Sequence, residues 1–244
     1  MHTQIWAHRG ASAYAPENTM EAFLLAYSQG ADGIELDVHL SGDGEVVVAH
    51  DESLERVSDG KGFIKDYPLK ELKQMNFNSG KKEYEFVTIP TLREVLKKIK
   101  NTQMLVNIEL KTDIFPYKGI EKKVFNLVKE YNMKERVIYS SFHWDSIGKL
   151  RELDKDSRIG MLFSRRWKEA VAYAREIGAN AIHPPFRAML DNKFAESCRR
   201  EGLAVHVWTV NNEQDCIKMI NKGVDAIITD YSDQCKLVMQ QCNS

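Results

Sequence analysis

Three acidic side chains have a spacing that would bring them together at one site. Glu35 and Asp37 lie two residues apart in a short apolar run, so both side chains project from the same face of a predicted strand. Glu109 ends a later apolar run. Carboxylates that converge in a low-dielectric site repel one another unless a cation neutralises them. We therefore expect one divalent cation here, Mg²⁺ or Ca²⁺, with Mn²⁺ also possible; the alternative is that each carboxylate pairs with Arg9 or Lys111.

Two basic side chains and two histidines complete a set suited to phosphodiester chemistry. Arg9 could hold a phosphate bidentately, and Lys111 could supply a point charge beside it. Cleavage needs one group to take a proton and another to protonate the leaving alkoxide. Histidine, with an ordinary pKa of about 6.5, suits both roles, and His8 and His50 are the candidates. The alternative is that both cations belong to structural ion pairs and that the histidines are ordinary surface or core residues.

The residues before the first predicted helix have a structural and a functional interpretation. Asn18 or Thr19 could cap the helix that follows. Glu17 and Asn18 could also support the site by orienting His8 or a ligand group at its rim. Both interpretations stay open, because a capping residue can serve two purposes.

Aromatic and histidine residues later in the chain could also belong to the site. Trp208 is either a core residue or, as we expect, an apolar wall that binds the substrate, and Phe142 could face it. His183 and His206 lie in predicted strands and could be core or site residues. The remaining histidines, His2, His39 and His143, are expected to be ordinary structural residues.

These polar residues follow short apolar runs that alternate with amphipathic helical segments. Such alternation implies a parallel sheet, and eight units close into a TIM-type (β/α)₈ barrel of the α/β class, whose active residues lie at the carboxyl ends of the strands. The alternative is a doubly wound open sheet, but the first strand is not followed by G-x-G-x-x-G. The predicted strands are Ile5–Ala7, Gly33–Val38, Met104–Leu110, Val137–Tyr139, Ile159–Leu162, Ala181–His183, Ala204–Trp208 and Ala226–Thr229.

One stretch interrupts the alternation. Between Leu40 and Pro90 the pattern gives a strand at Glu45–Ala49 and a short helix at Leu69–Met75, but no simple strand–helix unit. Such a stretch is too long for an ordinary connection. We therefore predict a small insertion after the second strand, at about residues 51–90, within one domain that spans residues 1–244.

Composition excludes some classes of protein. Lys and Arg number 34 against 35 Asp and Glu, which argues against nucleic-acid binding through a bulk positive field. The apolar runs are far shorter than the roughly 18 residues of a membrane span, and the start of the chain shows no signal peptide. We expect a cytoplasmic protein without an integral membrane segment, and the oligomeric state stays open.

Taken together, these residues resemble the glycerophosphodiester phosphodiesterase family. A single tripeptide is a weak signal, but here the motifs follow one another in order along almost the whole chain. They are His8-Arg9-Gly10, Pro16-Glu17-Asn18-Thr19, Glu35-Leu36-Asp37-Val38, His50-Asp51, Ile89-Pro90-Thr91-Leu92, Glu109-Leu110-Lys111, Trp208-Thr209-Val210-Asn211 and Ile228-Thr229-Asp230.

The resemblance implies a TIM-type barrel with a small inserted segment and a small-molecule substrate. The implied reaction is metal-dependent hydrolysis of a glycerophosphodiester to sn-glycerol 3-phosphate and an alcohol. The implied roles are metal ligation by Glu35, Asp37 and Glu109, acid–base catalysis by His8 and His50, and phosphate binding by Arg9 and Lys111.

We expect the reaction to pass through a cyclic phosphate, formed when the glycerol 2-hydroxyl attacks phosphorus. Two other functions stay open. One is a lysophospholipase D reaction on lysophospholipids, which would need a wide apolar mouth. The other is a module that binds phosphate esters without turnover, against which the full set of acid, base, metal and phosphate residues argues.

Overall fold

Eight parallel strands form the centre of the described part of the chain. The computed structural model describes residues 3–165 and 167–243, with residue 243 described by its backbone alone, so His2 lies outside the described residues. The first strand pairs with both the second and the last, which closes the sheet. The predicted (β/α)₈ barrel is confirmed, and the open-sheet alternative is wrong. The strands, including one outside the barrel, are β1 Gln4–His8, β2 Gly33–Leu40, β3 Val46–Val48, β4 Leu105–Leu110, β5 Val137–Ser141, β6 Ile159–Leu162, β7 Ala181–His183, β8 Ala204–Val207 and β9 Ala226–Thr229.

Helices connect the barrel strands and cover the outside of the sheet. The α-helices are α1 Met20–Ser28, α2 Leu69–Leu72, α3 Leu92–Ile99, α4 Ile120–Glu130, α5 Trp144–Leu153, α6 Trp167–Glu176, α7 Asn192–Arg200, α8 Glu213–Asn221 and α9 Ser232–Asn243. Short 3₁₀ turns cover Ile64–Asp66, Lys134–Arg136 and Phe186–Leu190. None of the described helices combines the length and the apolar character needed to cross a membrane.

Local sequence determines where the helices begin. The backbone N–H of Ala22 donates to Oγ1 of Thr19 at 3.3 Å, so Thr19 rather than Asn18 caps α1. At α3, Thr91 and Glu94 form a capping box, in which each side chain bonds the backbone of the other residue.

The barrel interior contains an apolar cluster, and it becomes polar toward the carboxyl ends of the strands. Successive side chains of a strand point to opposite faces, so every second residue faces the interior. The strand register pairs Glu35 of β2 with Asn107 of β4, and Asp37 with Glu109. The apolar part of the interior is the buried cluster of Trp6, Ile138, Ala181, Ala226 and Ile228.

The segment between β2 and α3 is the predicted insertion, and it has a small core of its own. β3 pairs antiparallel with the end of β2 and does not take part in closing the barrel. The short helix α2 ends at Leu72, before the predicted end at Met75. The chain turns after it, and the backbone N–H of Phe77 donates to the carbonyl oxygen of Val87 at 2.7 Å. The buried residues of this core are Val47, Ala49, Leu54, Val57, Ile64, Leu72, Phe77 and Ile89.

Gly160 provides a test of how tightly the barrel interior is packed. A Cβ at Gly160 would lie 2.3 Å from Nε2 of His183, whose ring is held by His206 and Trp6. We expect Gly160→Ala to lower the free energy of unfolding by about 1–3 kcal/mol, measured by denaturant titration. Gly148→Ala in α5 is the control, because its Cβ would meet only the Tyr173 hydroxyl, at 3.0 Å. Equal stability of the two variants would contradict this prediction.

Candidate active site

Most of the predicted site residues surround one cavity at the carboxyl ends of the strands. The cavity has a volume of about 90 Å³ and lies where barrel enzymes carry their active residues. Four predicted residues do not line the cavity. Lys111, Asp37 and Glu17 each contact a residue that does, and Asn18 lies behind Asp37. The predicted residues that line the cavity are His8, Arg9, Glu35, His50, Glu109 and Trp208.

The three carboxylates meet as their spacing predicts. Glu35, Asp37 and Glu109 are buried, and one oxygen of each lies within 4.8 Å of one oxygen of the others. Burial raises the pKa of Glu35 well above its ordinary value, and the charges of Asp37 and Glu109 raise it further. Burial and the charge of Asp37 likewise raise the pKa of Glu109 to about 7. Burial and mutual repulsion therefore both disfavour ionisation of all three carboxylates at once.

Two cations offset part of that charge. Nε of Arg9 lies 3.6 Å from Asp37, and Nζ of Lys111 lies 3.1 Å from Glu109. Burial would raise the pKa of Asp37, but the charges of Lys111 and Arg9 outweigh it and lower this pKa below its ordinary value. The ion-pair interpretation thus holds for two of the three carboxylates. Glu35 accepts a hydrogen bond from the backbone N–H of Arg9, at 3.0 Å, rather than from a cationic side chain.

Each of the two candidate histidines is oriented by an aspartate. Nδ1 of His8 lies 2.6 Å from Oδ1 of Asp230, and Nδ1 of His50 lies 2.6 Å from Oδ1 of Asp51. A carboxylate at Nδ1 fixes the ring and directs Nε2 the other way. Burial, together with the charges of Arg9 and Lys111, lowers the pKa of His50 below its ordinary value.

Glu17 and Asn18 support the site from behind rather than from its rim. Nη1 of Arg9 donates to Oε1 of Glu17 at 3.0 Å. Asn18 donates from Nδ2 to Oδ2 of Asp37 at 2.8 Å, and its Oδ1 accepts the backbone N–H of Asp37 at 3.3 Å. Among the predicted site residues, Glu17 therefore contacts Arg9 and Asn18 contacts Asp37, whereas His8 is held by Asp230.

Trp208 and Phe142 form an aromatic wall of the cavity. Their rings meet edge to face with centroids 5.7 Å apart, and both residues line the cavity. Nε1 of Trp208 donates to the backbone oxygen of His183 at 2.8 Å, which fixes the indole. Phe142 therefore faces Trp208, one of the two arrangements that the sequence left open.

His183 and His206 are core residues directly beneath this wall. Nδ1 of His206 lies 2.9 Å from Nε2 of His183, and both rings are buried beside Trp6. Burial lowers the pKa of His183 to about 3. Burial and the neighbouring His183 also lower the pKa of His206 well below its ordinary value. Both rings are therefore neutral near pH 7.

Four residues at or next to this cavity were given no role in the sequence analysis. Asp51 follows His50 directly, and Asp230 follows the last strand, which a closed barrel places beside the first. Asn107 lines the cavity and shares a strand face with Glu109, two residues away. Arg56 lies in the irregular part of the insertion, where no periodicity indicates its neighbours.

Comparison with known proteins agrees with this fold and identifies the family. The model of the glycerophosphoryl diester phosphodiesterase family matches residues 8–234. A glycerophosphodiester phosphodiesterase from Caldanaerobacter subterraneus subsp. tengcongensis is 42% identical over 232 residues, which are 94% of this chain and 95% of the relative. The chain therefore belongs to the glycerophosphoryl diester phosphodiesterase family.

Solved structures share the whole architecture. A phosphodiesterase from Oleispira antarctica, solved in complex with the product sn-glycerol-3-phosphate, is 32% identical, with a TM-score of 0.85 over 98% of this chain and 97% of that one. A glycerophosphodiester phosphodiesterase from Thermotoga maritima is 31% identical, with a TM-score of 0.76 over 96% of each chain.

The buried histidine pair predicts a loss of stability in acid. His183 keeps a pKa of about 3 in the folded state against an ordinary value of 6.5. Between these values the unfolded chain binds a proton that the folded chain does not, so the free energy of unfolding falls as the pH falls through this range. Above about pH 7.5 His183 is neutral in both the folded and the unfolded chain, so it no longer makes the free energy of unfolding depend on pH.

We expect His183→Gln to have a shallower dependence of unfolding free energy on pH between about 6.5 and 4 than the parent protein. Denaturant titrations at several pH values measure the slope, which is independent of any constant loss of packing. Equal slopes would show that His183 is protonated in the folded state.

Proposed function

We propose that this protein hydrolyses glycerophosphodiesters to sn-glycerol 3-phosphate and an alcohol, with a divalent cation and histidine acid–base catalysis. One observation carries the proposal: two aspartate-oriented histidines, Arg9 and the carboxylates of Glu35 and Glu109 line the same cavity. That set supplies an acid, a base, an anion site and oxygen ligands within one small volume. Family membership and the named activities of the relatives support an enzyme over a non-catalytic binding module.

The carboxylate cluster fits a hard divalent cation. Three carboxylates face only two cationic side chains, and Oδ1 of Asp37 is buried without a hydrogen-bond partner among the described residues. All the donors are oxygen atoms, which suits Mg²⁺, Ca²⁺ or Mn²⁺. Glu35, Asp37 and Glu109 would hold the ion. When bound, it would neutralise the carboxylates and polarise the phosphate oxygens.

Arg9 and Lys111 would supply the rest of the phosphate site. Arg9 is fixed by Glu17 and faces the cavity, so its guanidinium is positioned in advance for a phosphate oxygen. Nζ of Lys111 lies 3.4 Å from Nε2 of His50 and 3.1 Å from Glu109, so its charge is close to the reacting groups. Trp208 would provide an apolar wall for the bound diester.

His8 and His50 would exchange the protons of the reaction. In the first step one imidazole removes the proton of the glycerol 2-hydroxyl, whose oxygen bonds to phosphorus as the bond to the alcohol oxygen breaks. The other imidazole protonates that alcohol. Water then opens the cyclic phosphate while the two rings reverse their roles. Asp230 and Asp51 would keep each ring oriented and stabilise its protonated form.

Removing the 2-hydroxyl of the substrate tests the cyclic route. A diester that lacks this hydroxyl is expected to release its alcohol more than about 100-fold more slowly, because the intramolecular nucleophile is lost. A diester that lacks only the terminal glycerol hydroxyl is the control and should keep most of its rate. Alcohol release is measured for both analogues and for the natural diester, and equal rates with and without the 2-hydroxyl would exclude the cyclic intermediate.

Glu35→Gln tests the metal site independently of activity. The amide keeps the size of the side chain but removes one negative ligand, so we expect the affinity for Mg²⁺ or Mn²⁺ to fall by more than about tenfold in calorimetric titrations. Glu121→Gln is the matched control, because Glu121 is also a buried glutamate but bonds Ser146 and Lys149 on the outer helices. Unchanged affinity in Glu35→Gln would place the cation elsewhere.

A further inference from the structure

Arg56 lies between Glu17 and Asp51, and the proposed mechanism gives Arg56 no role. Its Nη1 and Nη2 donate to the two oxygens of Glu17 at 2.6 and 2.8 Å. Its Nε and Nη2 donate to the two oxygens of Asp51 at 2.5 and 2.9 Å. One guanidinium therefore binds both carboxylates bidentately, one from the loop before α1 and one from the insertion.

Each of these carboxylates holds a different residue of the proposed site. Glu17 accepts from Arg9, the proposed phosphate ligand, at 3.0 Å. Asp51 orients His50, a proposed acid–base catalyst, through a contact of 2.6 Å. Arg56 thus closes a chain of contacts that runs from Arg9 through Glu17 and Asp51 to His50.

The chemistry of the contact requires a guanidinium. Glu17 and Asp51 carry like charges, and both approach Arg56 so closely that they would repel each other without it. The planar fork of arginine matches two carboxylates at once, whereas a lysine ammonium is a single point charge on a flexible stem. The side chain of Arg56 is 46% exposed, and solvent screens its ion pairs, so we expect the protein to remain folded without them.

We propose that Arg56 is a positioning residue that holds His50 and Arg9 in register across the boundary between the insertion and the barrel. It lies outside the residues that line the cavity, so it acts through Asp51 and Glu17 rather than on the substrate. Its contribution is a fixed direction for the His50 ring and a fixed place for the Arg9 guanidinium. This inference rests on the proposed function.

Replacing Arg56 should impair catalysis without unfolding the protein. We expect Arg56→Ala to lower kcat/KM for a glycerophosphodiester by about 10- to 100-fold, as loss of an orienting residue typically does. Arg56→Lys is expected to recover little of that activity because lysine cannot bond both carboxylates. If Arg56→Ala does not fold, Arg56→Lys makes the same test. Activity of Arg56→Lys within about twofold of the parent would overturn the positioning role.

A double-mutant cycle with Asp51→Asn separates positioning from direct action on the substrate. If Arg56 acts through Asp51, removing the guanidinium should cost at least about threefold less in the Asp51→Asn background than in the parent. Equal costs in the two backgrounds would overturn the proposal. Free guanidinium, added below unfolding concentrations and compared with NaCl at equal ionic strength, should restore part of the activity of Arg56→Ala but not raise that of the parent.

Arg93→Ala is the matched control for the loss of a surface arginine. Arg93 pairs with Glu130 on the outer helices, and both side chains are about as exposed as Arg56. This variant should keep the parent kcat/KM. If the parent protein itself hydrolyses no glycerophosphodiester, the proposed function fails; if the parent is active and Arg56→Ala equals it, only the role of Arg56 fails.

Discussion

Repulsion among three buried carboxylates is the constraint on which the rest of the site depends. Glu35, Asp37 and Glu109 lie too close together and too far from water to remain ionised without compensation. Arg9 and Lys111 supply part of this compensation, and Arg9 is itself held in place by Glu17. The remaining negative charge makes the cluster a candidate site for a cation, and a cation beside Arg9 would in turn attract an anion. Charge alternates outward from the carboxylates to the cations and then to the proposed phosphate.

The barrel solves the problem of bringing these groups together at fixed distances. Neighbouring strands β2 and β4 place Asp37 opposite Glu109 by their hydrogen-bond register, without any contribution from loops. Closure of the sheet places the end of β1 beside the end of β9, so that His8 meets Asp230, which is 222 residues away in the chain. Buried backbone bonds thus fix the parts of the site that tolerate the least movement, since a displacement of about 1 Å can cost a large factor in rate.

The sequence alone predicts those parts of the site that follow from strand periodicity. Glu35 and Asp37 could be assigned to one face because a strand repeats every two residues, and the alternation of strands and helices indicated the closed barrel. The partners of the histidines were harder to find. Asp230 becomes a neighbour of His8 only once the barrel closes, and Arg56 lies in a segment whose path depends on its own small core rather than on a repeating pattern. Short-range patterns carry no information about contacts that tertiary closure creates.

The insertion completes a site that the barrel leaves unfinished. The barrel strands and the loops directly after them supply the carboxylates, both cations and His8, whereas His50 comes from the turn after β3, outside the closed sheet. A proposed catalytic group on such a turn needs rigidity from another source. Part of it comes from the antiparallel pairing of β3 with β2, and part from Nε2 of His39, which lies 3.1 Å from the backbone oxygen of His50. The core around Leu54 and Ile64 then anchors the rest of the segment. A folded insertion therefore holds His50 more rigidly than an unstructured loop would.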